Sequence, residues 1–135
     1  MSEITAAAAH AAIEAGVAKA KEINSPSSIT ILDAGRNMVG FLRMDNALLA
    51  SIEISHGKAY TSASLRMKTA DVTDAVQPGG PFYGMEVSHR TPMVVFGGGV
   101  PVEKGGKVIG AVGVAGGMIP DDIAVAEAVA AALAK

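Results

Sequence analysis

The spacing of hydrophobic positions changes several times along the chain, and each change predicts a new element. Over residues 5–23 apolar side chains recur every three or four positions, which predicts an amphipathic helix capped by Thr5. The predicted buried stripe of this helix is Ala6, Ala9, His10, Ile13, Val17 and Ala20. Residues 24–27 are rich in polar and proline positions and are expected to end it.

Two short strands are predicted next, over residues 28–32 and 38–43. The intervening segment, from Asp33 to Asn37, has turn composition, so the strands are expected to form a hairpin with Gly35 free to adopt positive φ. A second helix is predicted over residues 48–67, with Asp45 or Asn46 as its cap. Its broad apolar face would contain Leu48, Leu49, Ile52, His56, Ala59 and Ala63, and the opposite face Ile54, Lys58 and Leu65.

The second half of the chain reads as a long irregular segment followed by strands. Residues 68–91 carry strong loop signals, and strands are predicted over 93–96, 100–103 and 108–114, the last being central because it is the most hydrophobic. A final helix follows, with Asp121 and Asp122 in its first turn. The predicted order is α-β-β-α-β-β-β-α, an α+β class fold with a five-stranded antiparallel sheet, in a single domain over residues 1–135.

Composition narrows the function classes. Half of the 135 residues are hydrophobic and 18% are charged, which excludes a disordered chain, and the net charge of −2 gives no basic surface for nucleic acid. Without cysteine there are no disulfides and no thiolate chemistry. No apolar run is long enough for a membrane span and no secretory leader is evident, so a cytoplasmic protein is expected. With 16 glycines and 4% aromatic residues, the core is thin, which favours a homo-oligomer.

Four segments together resemble a known family. They are the hairpin ending in Arg43-Met44-Asp45, the Lys58-Ala59-Tyr60-Thr61 segment of the second helix, Gly98-Gly99-Val100-Pro101, and Gly110-Ala-Val-Gly-Val-Ala-Gly-Gly117 followed by Asp121 and Asp122. In this order they are similar to the motifs of the GlcG/HbpS-like family, which is related to the C-terminal domain of PduO-type corrinoid adenosyltransferases. Ala115 differs from the serine usual in the last motif.

The resemblance implies a profilin-like α/β/α sandwich that assembles into dimers up to octamers. It also implies haem or another tetrapyrrole as a candidate cofactor, and, through a first-helix histidine of the PduO-type relatives, His10 as the candidate metal ligand. His10 on an apolar stripe can ligate haem iron from a hydrophobic wall. The alternative is a half-exposed helix residue beside Glu14.

His56 and Lys58 are the main candidates on the second helix. His56 has Glu53 three residues before it and Tyr60 four after, a spacing that suits a general acid or base or a metal ligand. The alternative is a packed histidine bonded to backbone. Lys58 either binds an anionic ligand or pairs with a carboxylate such as Asp33 or Asp45.

The candidate residues form two overlapping sets. The catalytic candidates are His56, Lys58, Glu53 and Tyr60; the cofactor-binding candidates are His10, His56, Lys58, Thr61, Gly116 and Gly117. Gly116 and Gly117 precede the last helix, where backbone amides can hold a carboxylate such as a haem propionate. The pocket is expected between the second helix, the loop over residues 77–91, which carries His89, and Gly116-Gly117.

Three functions are consistent with these residues. The first is a homo-oligomeric protein that binds haem or a related planar small molecule. The second is a small cofactor-independent enzyme acting on a metabolite carbonyl or carboxylate, with His56 as acid or base and Lys58 as anion anchor. The third is an accessory protein that assembles with the enzymes of a catabolic operon.

Overall fold

Three helices and a four-stranded antiparallel sheet make up the computed structural model, which describes residues 3–135. The elements are α1 (Ala6–Glu22), β1 (Ser28–Asp33), β2 (Met38–Arg43), α2 (Ser51–Leu65), β3 (Gly99–Lys104), β4 (Lys107–Ala115) and α3 (Ile119–Leu133). The strands lie in the order β2-β1-β4-β3, and each neighbouring pair is antiparallel. Within the described residues no helix is both long and apolar enough to cross a membrane.

The alternation of side chains along β1 separates the helices into two layers. Thr30 hydrogen-bonds to Ser55 of α2, with the two hydroxyl oxygens 2.8 Å apart. The next side chain along the strand, Ile29, points to the other face and packs beside Gly16 of α1 and Val129 of α3. The fold is therefore an α/β/α sandwich, with α2 on one face of the sheet and α1 and α3 on the other.

The layer that contains α1 and α3 holds the apolar core. Its fully buried side chains are aliphatic and β-branched, which pack well between a sheet and helices. They include Ile29, Ile31, Val112, Val114, Val125 and Val129. Each such side chain contributes about 1.5–3 kcal/mol when it is removed from water. Of the stripe predicted for α1, Ala9, Ile13 and Ala20 are buried, whereas Val17 is half-buried and Ala6 is exposed.

The layer formed by α2 is built from small and polar residues. The helix turns Ser51, Ser55, Ala59 and Ser62 toward the sheet, and all four are buried. A Cβ on Gly113 of β4 would overlap the backbone of α2, so the helix and strand backbones approach closely. Two buried hydroxyl pairs, Ser28–Ser51 and Thr30–Ser55, satisfy part of the polar groups that this close packing removes from water, whereas the buried Ser62 hydroxyl has no hydrogen-bond partner among the described residues.

The predicted strand over residues 93–96 is wrong, and the sheet has four strands rather than five. The segment has no regular secondary structure, and its backbone bonds to partners outside the sheet. The Val94 amide donates to the Thr61 hydroxyl at 3.0 Å, and the Val95 carbonyl accepts from the Thr73 hydroxyl at 2.7 Å. Because these partners lie in α2 and in a 3-10 turn, no strand can form a ladder with it. The observed order is α-β-β-α-β-β-α.

The predicted start of α2 is also wrong. The helix begins at Ser51 rather than near residue 48, and the residue before it is Ala50, which makes no side-chain cap. Leu48 and Leu49 lie outside the helix and are 65% and 71% exposed. The structure confirms three other predictions: the β1–β2 hairpin, the interior position of β4 and the Thr5 cap of α1. In the hairpin turn, positive φ is found at Arg36 rather than at Gly35.

Gly116 combines an unusual backbone angle with a crowded surrounding, and this yields a stability prediction. Its φ is +129°, and a Cβ there would lie 2.6 Å from the carbonyl oxygen of Pro26. We expect Gly116→Val to lower the free energy of unfolding by about 2–4 kcal/mol in urea titrations. Gly84→Val is the control, because Gly84 also has positive φ but faces open space. Equal losses for the two variants would contradict the steric argument.

Candidate functional site

Two cavities adjoin α2, and Ile54 is in the lining of both. The first, the His56 groove, has a volume of about 450 Å³ and is lined by residues that include Met38, Phe41, Ile52, Glu53, His56 and Pro92. The second, the Lys58 cleft, has a volume of about 140 Å³ and is lined by residues that include Leu48, Ile54, Lys58, Phe96, Ile119 and Asp122. The sequence predicted one pocket in this region, and the structure has two.

His56 is half-buried in the wall of its groove. Within residues 3–135 neither nitrogen of its ring has a hydrogen-bond partner, so it does not make the backbone bond that the packed alternative required. Its ring centroid lies 6.3 Å from that of Tyr60. Glu53 lines the same groove but makes no hydrogen bond to the imidazole. The ring nitrogens therefore remain available to a ligand.

Tyr60 belongs to a cluster of rings and charges on the outer side of α2. Its hydroxyl accepts a hydrogen bond from Nη1 of Arg36 at 3.0 Å, and the guanidinium carbon lies 4.9 Å from its ring centroid. The His89 ring meets the Tyr60 ring edge-on, with 5.9 Å between centroids. This cluster joins the β1–β2 turn and the irregular segment to α2. Arg36 was not a sequence candidate, because nothing in the spacing connects a turn residue to position 60.

Lys58 is buried and ion-paired. Its Nζ donates to the Val114 carbonyl at 2.8 Å and to Oδ2 of Asp122 at 2.9 Å, and the two side chains are only 2% and 4% exposed. The Phe96 ring centroid lies 5.0 Å from Nζ. The carboxylates that the sequence suggested as partners are wrong: Asp33 instead accepts hydrogen bonds within its own turn, and Asp45 is exposed.

Burial dominates the electrostatics of this pair. Removal from water lowers the pKa of the Lys58 amine and raises the pKa of the Asp122 carboxyl, although the hydrogen bond and charge attraction between them act in the opposite sense. The Gly117 amide donates to Oδ1 of Asp122 at 3.0 Å. The start of α3 is thus occupied by the protein's own carboxylate, at the place where the sequence suggested a ligand's carboxylate.

Thr61 and His10 lie outside both cavities. The Thr61 hydroxyl donates to the Gly57 carbonyl at 2.7 Å and accepts from the Val94 amide, so it fastens residues 93–96 to α2. The His10 side chain is 79% exposed, with Nε2 3.4 Å from Glu14, because α1 buries the face formed by Ala9, Ala12, Ile13 and Gly16. The placement of His10 against the apolar core is therefore wrong, and its role as an iron ligand stays a prediction.

The cavities divide the sequence candidates. Glu53 and His56 share the His56 groove, whereas Lys58, Gly116 and Gly117 share the Lys58 cleft. Asp122, Phe96 and the β2 side chains Met38 and Phe41 complete the cavities, although none of them was a predicted site residue. Asp122 belongs to the last of the four motifs, but its pairing with Lys58 was not predicted. In the part of the chain that the structure describes, no three His, Asp or Glu side chains are grouped to hold a metal ion.

Comparison with known proteins identifies relatives along nearly the whole chain. The family model described as haem degrading protein HbpS-like matches residues 4–131. An uncharacterized 15.0 kDa protein from the dhaT-dhaS intergenic region of Citrobacter freundii is 48% identical over 124 residues, which cover 92% of this chain and 87% of that protein. The corrinoid adenosyltransferase PduO of Citrobacter freundii is 36% identical over 92% of this chain but only 37% of its own length.

Solved structures show the same fold. The Klebsiella pneumoniae protein ORFY superposes with a TM-score of 0.94 at 38% identity, covering 98% of this chain and 92% of that one. A complex of PduOC with haem superposes with a TM-score of 0.87 at 34% identity, covering 91% and 89% of the two chains. HbpS itself gives a TM-score of 0.86 at 26% identity, covering 100% and 93%.

The buried Lys58–Asp122 pair yields a second stability prediction. Because Lys58→Met or Asp122→Leu alone leaves a buried polar group without its partner, we expect each to lower the free energy of unfolding by about 3–5 kcal/mol. In the double variant neither charge is buried, so it should lose less than either single variant. Urea unfolding of the wild type, the two single variants and the double variant gives the four free energies of this double-mutant cycle. A double variant that loses the sum of the two single losses would show that the groups are not coupled.

Proposed function

This chain belongs to the haem degrading protein HbpS-like family, and we propose on that premise that it is a homo-oligomeric protein that binds haem or a related planar organic molecule in the His56 groove. The observation that carries the proposal is an apolar groove with an unbonded imidazole in its wall. The haem complex of a relative that is 34% identical supports the class of ligand. The choice of groove and histidine is our own.

The residues of the groove fit a haem. A volume of about 450 Å³ is within the usual size of small-molecule pockets, roughly 300–1,000 Å³. Met38, Phe41 and Ile52 offer apolar surface to a flat macrocycle, and a neutral imidazole is a common axial ligand of haem iron. His56 would hold the iron, and the hydrophobic walls would exclude water from one face. A bound haem would supply a redox-active iron whose properties depend on that axial ligand.

His10 is the alternative iron ligand. It is exposed on α1 and lines neither of the two cavities described above, so it can bind haem only where a second chain or the edge of the macrocycle covers it. A homo-oligomer could provide that cover. The two histidines are therefore distinguished by experiment, and a third, His89, contacts Tyr60 at an exposed site and serves as a control.

The enzyme alternative draws less support from the geometry. It required His56 as acid or base and Lys58 as anion anchor in one site, but the two residues line different cavities. The Lys58 ammonium is already paired with Asp122 and is not aimed at His56. The cytoplasmic location stays a prediction.

Titration with hemin tests the proposal. We expect the wild type to sharpen and shift the Soret band of added hemin, and His56→Ala to lose this change because the axial ligand is gone. His10→Ala and His89→Ala should behave like the wild type. If His10→Ala alone loses the signal, the iron lies on α1 and the groove is wrong. If the wild type gives no spectral change, haem is not the ligand.

Association of the chain is tested separately. Several large apolar side chains remain exposed in a single chain, among them Leu49, Phe82, Tyr83 and Val87. We expect sedimentation at micromolar concentration to give the mass of a dimer or larger, because such exposed surface is stabilised by contact with another copy. A single species with the mass of one chain would contradict the proposed homo-oligomer.

A further inference from the structure

Lys58 lines a cleft that shares only Ile54 with the groove of the proposed haem site. Among residues 3–135 it is the only buried lysine, and the six other lysines are partly or fully exposed. The cleft opens between Leu48 and Ile119, which are 65% and 44% exposed. We propose that the Lys58 cleft is a covalent carbonyl site, in which Lys58 forms an imine with a small aldehyde or ketone and Asp122 transfers the protons.

The surroundings of Nζ favour a nucleophilic amine. Gly98 brings only backbone to the amine: a Cβ there would lie 2.6 Å from Nζ, and Phe96 covers another side. The burial that these groups cause lowers the pKa of Lys58, which brings the unprotonated amine closer to neutral pH. A lysine in an apolar pocket is the usual device for forming imines with carbonyl compounds.

Asp122 is placed to move protons during the reaction. Its Oδ2 lies 2.9 Å from Nζ, and Oδ1 is held by the Gly117 amide. Asp122 takes a proton from the ammonium, the Nζ lone pair attacks the carbonyl carbon, and the oxygen receives that proton from Asp122 and becomes a hydroxyl. Asp122 then removes a second proton from the nitrogen, which leaves a neutral carbinolamine. Protonation of that hydroxyl by Asp122 releases water and forms the C=N bond. In sum, ammonium and carbonyl compound give iminium and one water, and the iminium stays paired with the carboxylate.

The cleft also restricts the carbonyl compound. Its volume of about 140 Å³ accommodates about four or five water-sized groups, which limits the ligand to a short chain. Leu48, Ile54 and Ile119 offer apolar contacts to that chain. The Asp122 carboxylate repels a second negative charge, so a neutral aldehyde or ketone is favoured over a 2-oxo acid.

Reductive trapping tests the proposal on the wild-type protein. The folded chain is incubated near pH 7 with acetaldehyde and cyanoborohydride, which reduces an iminium to a stable secondary amine, and modified lysines are located by proteolysis and mass spectrometry. We expect Lys58 to be modified at least tenfold faster than any exposed lysine of the same molecule, and at least tenfold faster with acetaldehyde than with pyruvate. A Lys58 that reacts no faster than the exposed lysines, or only after denaturation, overturns the proposal.

A matched pair of variants tests the proton transfer. Asp122→Asn should slow modification of Lys58 at least tenfold and leave the exposed lysines unaffected, whereas Asp71→Asn, which changes an exposed carboxylate outside the cleft lining, should leave Lys58 at the wild-type rate. Circular dichroism establishes that both variants are folded. An unchanged Lys58 rate in folded Asp122→Asn overturns the role of Asp122. Since hemin is absent from this experiment, its result is independent of the proposed haem site.

Discussion

The close approach of α2 to β4 is the constraint on which the rest of the structure depends. Gly113 has no side chain, and the α2 backbone near Ser55 and Ala59 occupies the space that a Cβ would take. Burying hydroxyl groups is costly unless they are bonded, and here hydroxyls of the helix bond to hydroxyls of β1. The small-residue composition of the chain thus serves a specific purpose, which is to bring a helix backbone onto a sheet.

The close approach of α2 to the sheet also determines where the larger side chains of the helix lie. Because small residues fill the interface with the sheet, the Lys58 side chain reaches the Val114 carbonyl near the end of β4 and Asp122 in the first turn of α3. His56, on the far side of the helix, is left facing the groove beside β2. One helix therefore carries a buried ion pair on one side and an accessible imidazole on the other.

Hydrophobic patterning predicts the elements of the layer that contains α1 and α3. It misassigns part of the buried face of α2, because that layer is built from small and polar residues. The aliphatic alternation of β1 and β4 and the Thr5 cap identify their elements correctly. For α2, the face predicted from hydropathy contains Ala59 and Ala63, which are buried, and Leu48 and Leu49, which are exposed. The close packing at Gly113 buries serines that hydropathy did not select. The partner of Lys58 was equally hidden, because Asp122 is 64 positions away and only the fold brings it within 2.9 Å.

The two proposals concern different sides of α2 and rest on different kinds of evidence. One relative of known structure is a complex with haem. In this chain His56 offers an accessible ring inside a cavity, and His10 offers one on the surface. The Lys58–Asp122 pair gains nothing from likeness to that relative and is argued from burial and distance alone. A charge pair that serves only stability can be replaced by apolar residues of similar size at little cost. Its position at the base of an open cleft, rather than in the aliphatic core, is what favours a chemical role over a purely structural one.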